Sequence, residues 1–285
     1  MSNKYPNLQA RQKRFTANIP RSYQLSSGVF IQQDLFQATR FVVFDTDYPE
    51  YPVATHGGTL LLIRRNNRLF GLTTLHGFGK GDEQFPFHNL KVHSRHSEPI
   101  GEKLKLKTLK FPDLSAPRFE EISELGDLVI VEYVDFQWSD IEAFVWDTNT
   151  FCGARKTDRV IVVGYLKDRS TIDTDDHGHF SIGTQPCRID LDFIGWLSDN
   201  DVMQSAQMRL PDDATSEIGN LSGLSGAPIF NHTQNGVCGM VIRAGISQDN
   251  LANVHFLNAQ LIDYLLEKFD DDTLDLKIVT SSPTA

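Results

Sequence analysis

Three residues of this 285-residue chain have the side-chain types that nucleophilic attack on a carbonyl requires. Ser225 lies in the stretch Gly-Leu-Ser-Gly-Ala-Pro (223–228), whose glycines allow a tight turn and a close approach of the backbone to a ligand. Because a serine hydroxyl is a weak nucleophile, it requires a neighbouring base and a third group that orients the base. His76 is the candidate base, and Asp127 is the candidate orienting carboxylate.

The elements predicted around these residues place each of them at the end of a strand. His76 follows two apolar runs between residues 58 and 74 that flank a polar connection, a pattern typical of a β-hairpin. Asp127 directly precedes the apolar strand 128–131. In chain order the three residues are His, Asp and Ser, which is one of several orders known for such triads.

These motifs resemble those of the chymotrypsin-like (trypsin-fold) serine peptidases, especially the bacterial and intracellular members without disulfides. The resemblance covers roughly residues 30 to 270 and rests on Thr-Thr-Leu-His (73–76), Asp-Leu-Val-Ile (127–130) and the serine loop 223–228. It implies an all-β fold in which two antiparallel six-stranded β-barrels pack together and a C-terminal α-helix follows them. The active site is then expected in the cleft between the barrels.

The resemblance also implies the chemistry of the site. His76, Asp127 and Ser225 would form the catalytic triad of a serine endopeptidase that works through an acyl-enzyme intermediate. The backbone amides of Gly223 and Ser225 would form the oxyanion hole. The implied substrate is a polypeptide, and no cofactor or metal is expected.

Substrate-binding residues are implied by the same resemblance. The primary pocket is expected to be lined by Gly219 and its neighbours before the serine, by Arg243, Ala244 and Gly245, and by the strand that carries His255. No aspartate stands at the expected base of the pocket, so a preference for Lys or Arg is not expected. Arg243 or His255 would instead favour an acidic or polar substrate side chain.

Two residues depart from the family's serine loop. Ala227 replaces its second glycine, and Leu224 stands where secreted members carry an aspartate that pairs with a newly cleaved N-terminus. Activation by that route is therefore not expected. Control by a protein activator or regulator is a further hypothesis, with the long 77–99 loop beside His76 as one place for it.

Composition narrows the class of protein and of partner. The net charge is −10 without a basic block, so a nucleic-acid partner is not expected. Three scattered cysteines argue against a disulfide framework and favour a reducing compartment. The polar N-terminus lacks the apolar core of a signal peptide, and no long apolar run predicts a membrane span. We therefore expect a cytoplasmic protein without a membrane partner.

The chain is predicted to divide into five segments. They are a polar N-terminal arm (1–28), a first β-barrel with His76 and Asp127 (29–150), a second β-barrel with Ser225 (151–257), a C-terminal helix (258–270) and a flexible tail (271–285). Asn258 can cap the helix, and the apolar residues that follow it share one helical face.

Alternative hypotheses start from the same residues. Two polar groups could ligate zinc or calcium, although neither sits on a predicted helix with i, i+4 spacing: His88, His93 and His96, and separately Asp175, Asp176, His177 and His179. An inert pseudoprotease that acts as a binding or regulatory module would keep the triad motifs while lacking activity. A small-substrate esterase would use the same triad on simple esters.

Overall fold

The computed structural model of the protein describes residues 38–46, 48, 53–80, 84–92, 104–112, 123–138, 145–174, 180–197, 203–209, 220–270 and 276–279. The strands of the first half are β1 (Thr39–Phe41), β2 (Val43–Asp45), β3 (Val53–Ala54), β4 (Thr59–Arg65), β5 (Arg68–Thr74), β6 (Leu90–Lys91), β7 (Lys105–Pro112), β8 (Leu128–Val134) and β9 (Trp146–Asp147). The second half contains β10 (Arg159–Thr174), β11 (Phe180–Trp196), β12 (Met203–Arg209), β13 (Pro228–Asn231), β14 (Gly236–Ile246), β15 (Leu251–Asn258), helix α1 (Ala259–Glu267) and β16 (Leu276–Val279).

The first half is built around a seven-stranded sheet with the order β1, β4, β5, β8, β7 and β16, in which β9 pairs in parallel with β4. The predicted hairpin joins β4 to β5. Its turn residues Asn66 and Asn67 have φ values of 48° and 61°, a left-handed conformation that asparagine tolerates better than most residues. The chain leaves this sheet at Val42, whose amide donates to the carbonyl of Gly58 (3.1 Å). It then enters a three-stranded sheet of β3, β2 and β6.

The second half is a closed antiparallel barrel with the strand order β10, β11, β12, β15, β14 and β13. Strands β10 and β11 also pair beyond a register shift between Tyr165 and Ser170, which makes a long hairpin. The predicted all-β class is confirmed, since the described chain is mostly β, with a closed six-stranded antiparallel barrel followed by the helix α1. The first half differs in detail from one closed six-stranded barrel, because its described strands divide between two sheets.

Strand β4 shows how the two halves share a core. Its residues Leu60, Leu61, Leu62 and Ile63 are all fully buried, because successive side chains point to opposite faces and both faces are covered. Leu60 and Leu62 pack inside the first half. Leu61 and Ile63 belong to a second cluster that includes residues of β8, β14 and α1. The packing of β4 therefore fixes the first half against the second.

The C-terminal segment begins as predicted and ends differently. The side chain of Asn258 accepts a hydrogen bond from the amide of Leu261 (2.7 Å), which confirms the predicted helix cap. The sequence predicts a flexible tail from residue 271, but Leu276–Val279 forms β16 and pairs with residues 109–112 of β7. The strand begins with the alternation Leu-Lys-Ile, and its β-branched residues Ile278 and Val279 favour a strand. Among the described helices there is none whose length and apolarity would suit a membrane span.

Candidate active site

His76 and Asp127 meet because their strands are antiparallel neighbours. Strand β5 ends at Thr74, and the 3-10 turn Leu75–Phe78 that follows carries His76. Asp127 ends the 3-10 turn that precedes β8. Since Thr74 lies opposite Leu128 in the β5–β8 pairing, the end of one strand adjoins the start of the other. The sheet thus brings together two residues that lie far apart in the sequence.

The Asp127 carboxylate binds His76 at two points. Oδ2 lies 2.6 Å from the ring Nδ1, and Oδ1 accepts the backbone N–H of His76 at 2.9 Å. A carboxylate accepts hydrogen bonds, so this contact assigns the ring proton to Nδ1 and leaves Nε2 as the free acceptor. The imidazole is 38% exposed. The pair therefore has the tautomer and the access that a general base needs.

The glycines that flank Ser225 are required by the backbone of the loop. Gly223 has a φ of 100° and Gly226 a φ of 87°, in the range that residues with a Cβ rarely adopt. A Cβ at Gly226 would lie 1.8 Å from the carbonyl oxygen of Thr59, and one at Gly223 would lie 2.4 Å from that of Tyr165. The loop can take this conformation only with glycine at both positions.

Ser225 lines the same cavity as His76, a space of about 500 Å³ whose walls come from both halves of the molecule. Its other walls include His56, Gly57, Asn220, Ile242 and Arg243. The Ser225 hydroxyl donates a hydrogen bond to the carbonyl of Ile242 (3.2 Å). Within the described chain no hydrogen bond joins it to His76. For the hydroxyl to donate to His76, it would have to release its hydrogen bond to Ile242.

The amides of Gly223 and Ser225 are available to a ligand, since neither donates a hydrogen bond to any other described residue. The carbonyls of the preceding residues are held: that of Ser222 accepts the amide of Lys167, and that of Leu224 accepts the amide of Ala227, both at 2.8 Å. In a trans peptide the N–H points away from the carbonyl. The N–H groups of Gly223 and Ser225 therefore point away from Lys167 and Ala227, which bind the carbonyls of the same two peptides.

The two departures from the family's serine loop both fit the core of the second barrel. Leu224 and Ala227 are fully buried and pack with residues such as Val162 and Ile229. Ala227 does not have a positive φ, so its Cβ causes no backbone strain. Leu224 thus anchors the loop by apolar contact.

The predicted substrate residues do not all lie at the cavity. Arg243, Ala244 and Gly245 line it, whereas Gly219 lies outside the described residues. His255 is opposite Arg243 in the β14–β15 pairing and is not among the lining residues. Burial and the charge of Arg243 lower the pKa of His255, and the nearby carboxylate of Glu124 opposes this shift. The structure therefore places His255 beside the cavity, not in its wall.

Sequence reasoning missed His56, whereas it expected the neighbours of Gly219 before the serine at the pocket. His56 lines the cavity and packs against Phe85, with ring centroids 4.8 Å apart. Asn220 and Ser222 line it just before the serine loop. The pattern His-Gly-Gly before an apolar strand could have indicated His56, because paired glycines allow a close backbone approach.

The remaining histidines, acids and cysteines of the described chain do not form a metal site. Within the described ranges, no group of three His, Cys, Asp or Glu residues could hold a metal ion. His88 lies in the exposed turn Phe87–Asn89, whereas the other predicted ligands, 93, 96, 175–177 and 179, lie outside the described residues. All three cysteines are free thiols, and burial raises the pKa of Cys152 and Cys187 to about 11.

Comparison with known proteins gives a structural likeness and no sequence relative. The chain is similar to a crystal structure of an inactivated protease paralogue from the scabies mite, with 10% sequence identity and a TM-score of 0.49. The similarity covers 86% of this chain and 95% of that one. No protein-family model matches the chain, and no curated protein matches it.

Proposed function

We propose that the chain is a serine endopeptidase that cleaves polypeptides through an acyl-enzyme intermediate. The observation that carries the proposal is the Asp127–His76 pair, which is joined by two hydrogen bonds. The imidazole of this pair lines the same cavity as Ser225. Two unoccupied amides in the serine loop support it, because such donors stabilise the oxyanion of a tetrahedral intermediate.

In the proposed reaction, Ser225 Oγ attacks the carbonyl carbon of the scissile peptide while His76 Nε2 takes the hydroxyl proton. Asp127 stabilises the resulting imidazolium, and the amides of Gly223 and Ser225 bind the oxyanion. Cleavage of the C–N bond follows as His76 returns the proton to the leaving amine. Water, activated by the same imidazole, then attacks the ester and releases Ser225.

A second candidate function is that of a non-catalytic binding module. It is favoured by one observation, the hydrogen bond from Ser225 Oγ to the carbonyl of Ile242 in place of one to His76. For the enzyme, this bond is a resting contact that the substrate displaces. For the module, it is the permanent state. The two functions differ in whether the hydroxyl ever reaches the base.

Cleavage of unfolded casein, followed by mass spectrometry of the fragments, tests the proposal. We expect the wild type to produce fragments and Ser225→Ala and His76→Ala to produce none. Ser247→Ala is the matched serine control, because Ser247 lies in the β14–β15 turn and should not affect the rate. Hydrolysis of simple esters without casein cleavage would contradict the endopeptidase assignment. Absence of both activities in the folded wild type would favour the binding module.

A further inference from the structure

Thr59, the first residue of β4, makes hydrogen bonds to several parts of the fold although the sequence gives no sign of it. Its side chain is fully buried. The hydroxyl donates to the carbonyl of Gly223 (3.0 Å) and accepts the amide of Tyr165 (3.0 Å). Its backbone amide donates to the carbonyl of Ser225 (2.9 Å). One residue of the first half therefore holds both residues that would supply the oxyanion hole.

The two peptide groups that flank Gly223 are held by different residues. Lys167 already holds the preceding peptide through the carbonyl of Ser222 (2.8 Å). The Thr59 hydroxyl holds the following peptide through the carbonyl of Gly223 itself. A glycine with a φ of 100° has wide conformational freedom, so both flanking peptides need such ties if its amide is to keep one direction.

Thr59 is also tied to the strand that delivers the candidate base. The hydroxyl of Thr73, three residues before His76, donates to the carbonyl of Thr59 (2.9 Å). The carbonyl oxygen of Thr59 is also the atom that excludes a Cβ at Gly226. Displacement of Thr59 would therefore disturb both the strand that leads to His76 and the loop that carries Ser225.

We propose that Thr59 is a positioning residue of the active site, whose buried hydroxyl keeps the Gly223 amide directed at the developing oxyanion. This inference rests on the proposed serine-peptidase function. The role requires the hydroxyl specifically, because it both donates to Gly223 and accepts from Tyr165. Valine keeps the shape of threonine and removes both bonds, whereas serine keeps both.

The test measures how fast a fluorophosphonate-biotin probe labels Ser225, expressed per folded molecule. We expect Thr59→Val to label about 30-fold more slowly than the wild type, and Thr59→Ser to recover to within about threefold. The pH at which labelling is half-maximal should not move, since the His76–Asp127 pair is untouched. Thr59→Ala is made alongside, because it cannot add a steric contact.

Thr74→Val is the matched control. Thr74 is also fully buried, but its hydroxyl has no hydrogen-bond partner among the described residues. Its replacement should leave the labelling rate within about twofold, since no bond is lost. The same threonine-to-valine change is thus made at one site where the hydroxyl has hydrogen bonds and at one where it has none among the described residues.

Several outcomes would overturn the inference. Labelling of Thr59→Val at the wild-type rate would overturn it alone and leave the proposed function intact. Equal losses in Thr59→Val and Thr74→Val, or a shifted pH midpoint, would reduce Thr59 to a general packing role. Failure of both Thr59→Val and Thr59→Ala to fold would make Thr59 a folding residue. Absence of labelling in folded wild type would remove the proposed function and this inference with it.

Discussion

The two sides of the cavity are assembled in different ways. On the His76 side, the contacts lie within one sheet, and the Asp127 carboxylate has already made both of its bonds to the histidine. On the Ser225 side, the loop depends on a residue of the opposite half, and its hydroxyl is engaged with Ile242. The base is already oriented, whereas the nucleophile must first release its hydrogen bond to Ile242.

This difference shows where control of the site would act. A local pair within one sheet changes only if that sheet changes. The serine loop is hydrogen-bonded to both halves, to Thr59 on β4 and to Lys167 on β10. It therefore responds to small shifts of one half against the other. We therefore expect substitutions of the His76–Asp127 pair itself to affect the rate alone, and substitutions around Ser225 to affect both stability and rate.

Replacement of Asp127 by asparagine tests the His76 side and should have the largest effect. The amide can place N–H groups where the carboxylate accepted, so the Nδ1–H tautomer loses its support. We expect peptide cleavage to fall about 10⁴-fold while the fold persists. Kinetics on casein, with circular dichroism as the folding check, measure this. A loss below about tenfold would show that the pair is structural.

Replacement of Gly226 by alanine tests the contact between the halves on the Ser225 side. Its Cβ would lie 1.8 Å from the carbonyl oxygen of Thr59, at a φ of 87°. We expect the free energy of unfolding to fall by about 4 kcal/mol or more. Gly245→Ala is the control, since its Cβ would meet nothing within 4 Å, and it should change stability by less than about 0.5 kcal/mol. Equal results in urea denaturation would contradict the close approach.

Shortening Leu224 to alanine tests whether apolar burial anchors the serine loop. Leu224 is fully buried in the second-barrel core, so the cavity left behind should cost about 3 kcal/mol of unfolding free energy. Leu197→Ala, at a leucine that is 47% exposed, should cost less than about 0.5 kcal/mol. Urea denaturation compares the two variants. Similar losses would show that Leu224 does not hold the loop through its burial.

The smallest expected effect concerns His255 and the pH dependence of stability. Its folded-state pKa lies below the ordinary value of 6.5, so below that pH the unfolded chain binds more protons than the folded one. Stability should therefore fall as the pH drops through and below 6.5, and His255→Gln should lack this contribution. Denaturation of both proteins between pH 5 and pH 7.5 measures it. Parallel profiles would contradict the lowered pKa.

The parts of the site that the sequence predicts are those carried by short contiguous motifs. Ser225, His76 and Asp127 each stand at a strand end within a few diagnostic residues, and the pairing of β5 with β8 joins the last two. Thr59 has no such signal, because its partners Gly223 and Tyr165 lie 164 and 106 residues away. Contacts of that range depend on how the halves pack, which local patterns do not encode.

The same reasoning applies to the C-terminal strand and to His255. A four-residue strand such as Leu276–Val279 gains its stability from pairing with β7, so its own pattern is too short to be decisive. His255 alternates with buried neighbours on β15 and could face either the cavity or the flank of the barrel from sequence alone. The structure pairs His255 with Arg243, beside the residues that line the cavity.

Covalent labelling of the folded wild type with a fluorophosphonate, located by peptide mass spectrometry, tests the central claim most directly. The probe requires a serine hydroxyl, a base that takes its proton and donors for the phosphonyl oxygen at the same time. We predict a single adduct on Ser225 that His76→Ala abolishes. No adduct on the folded protein, or an adduct that persists in Ser225→Ala, would contradict the account.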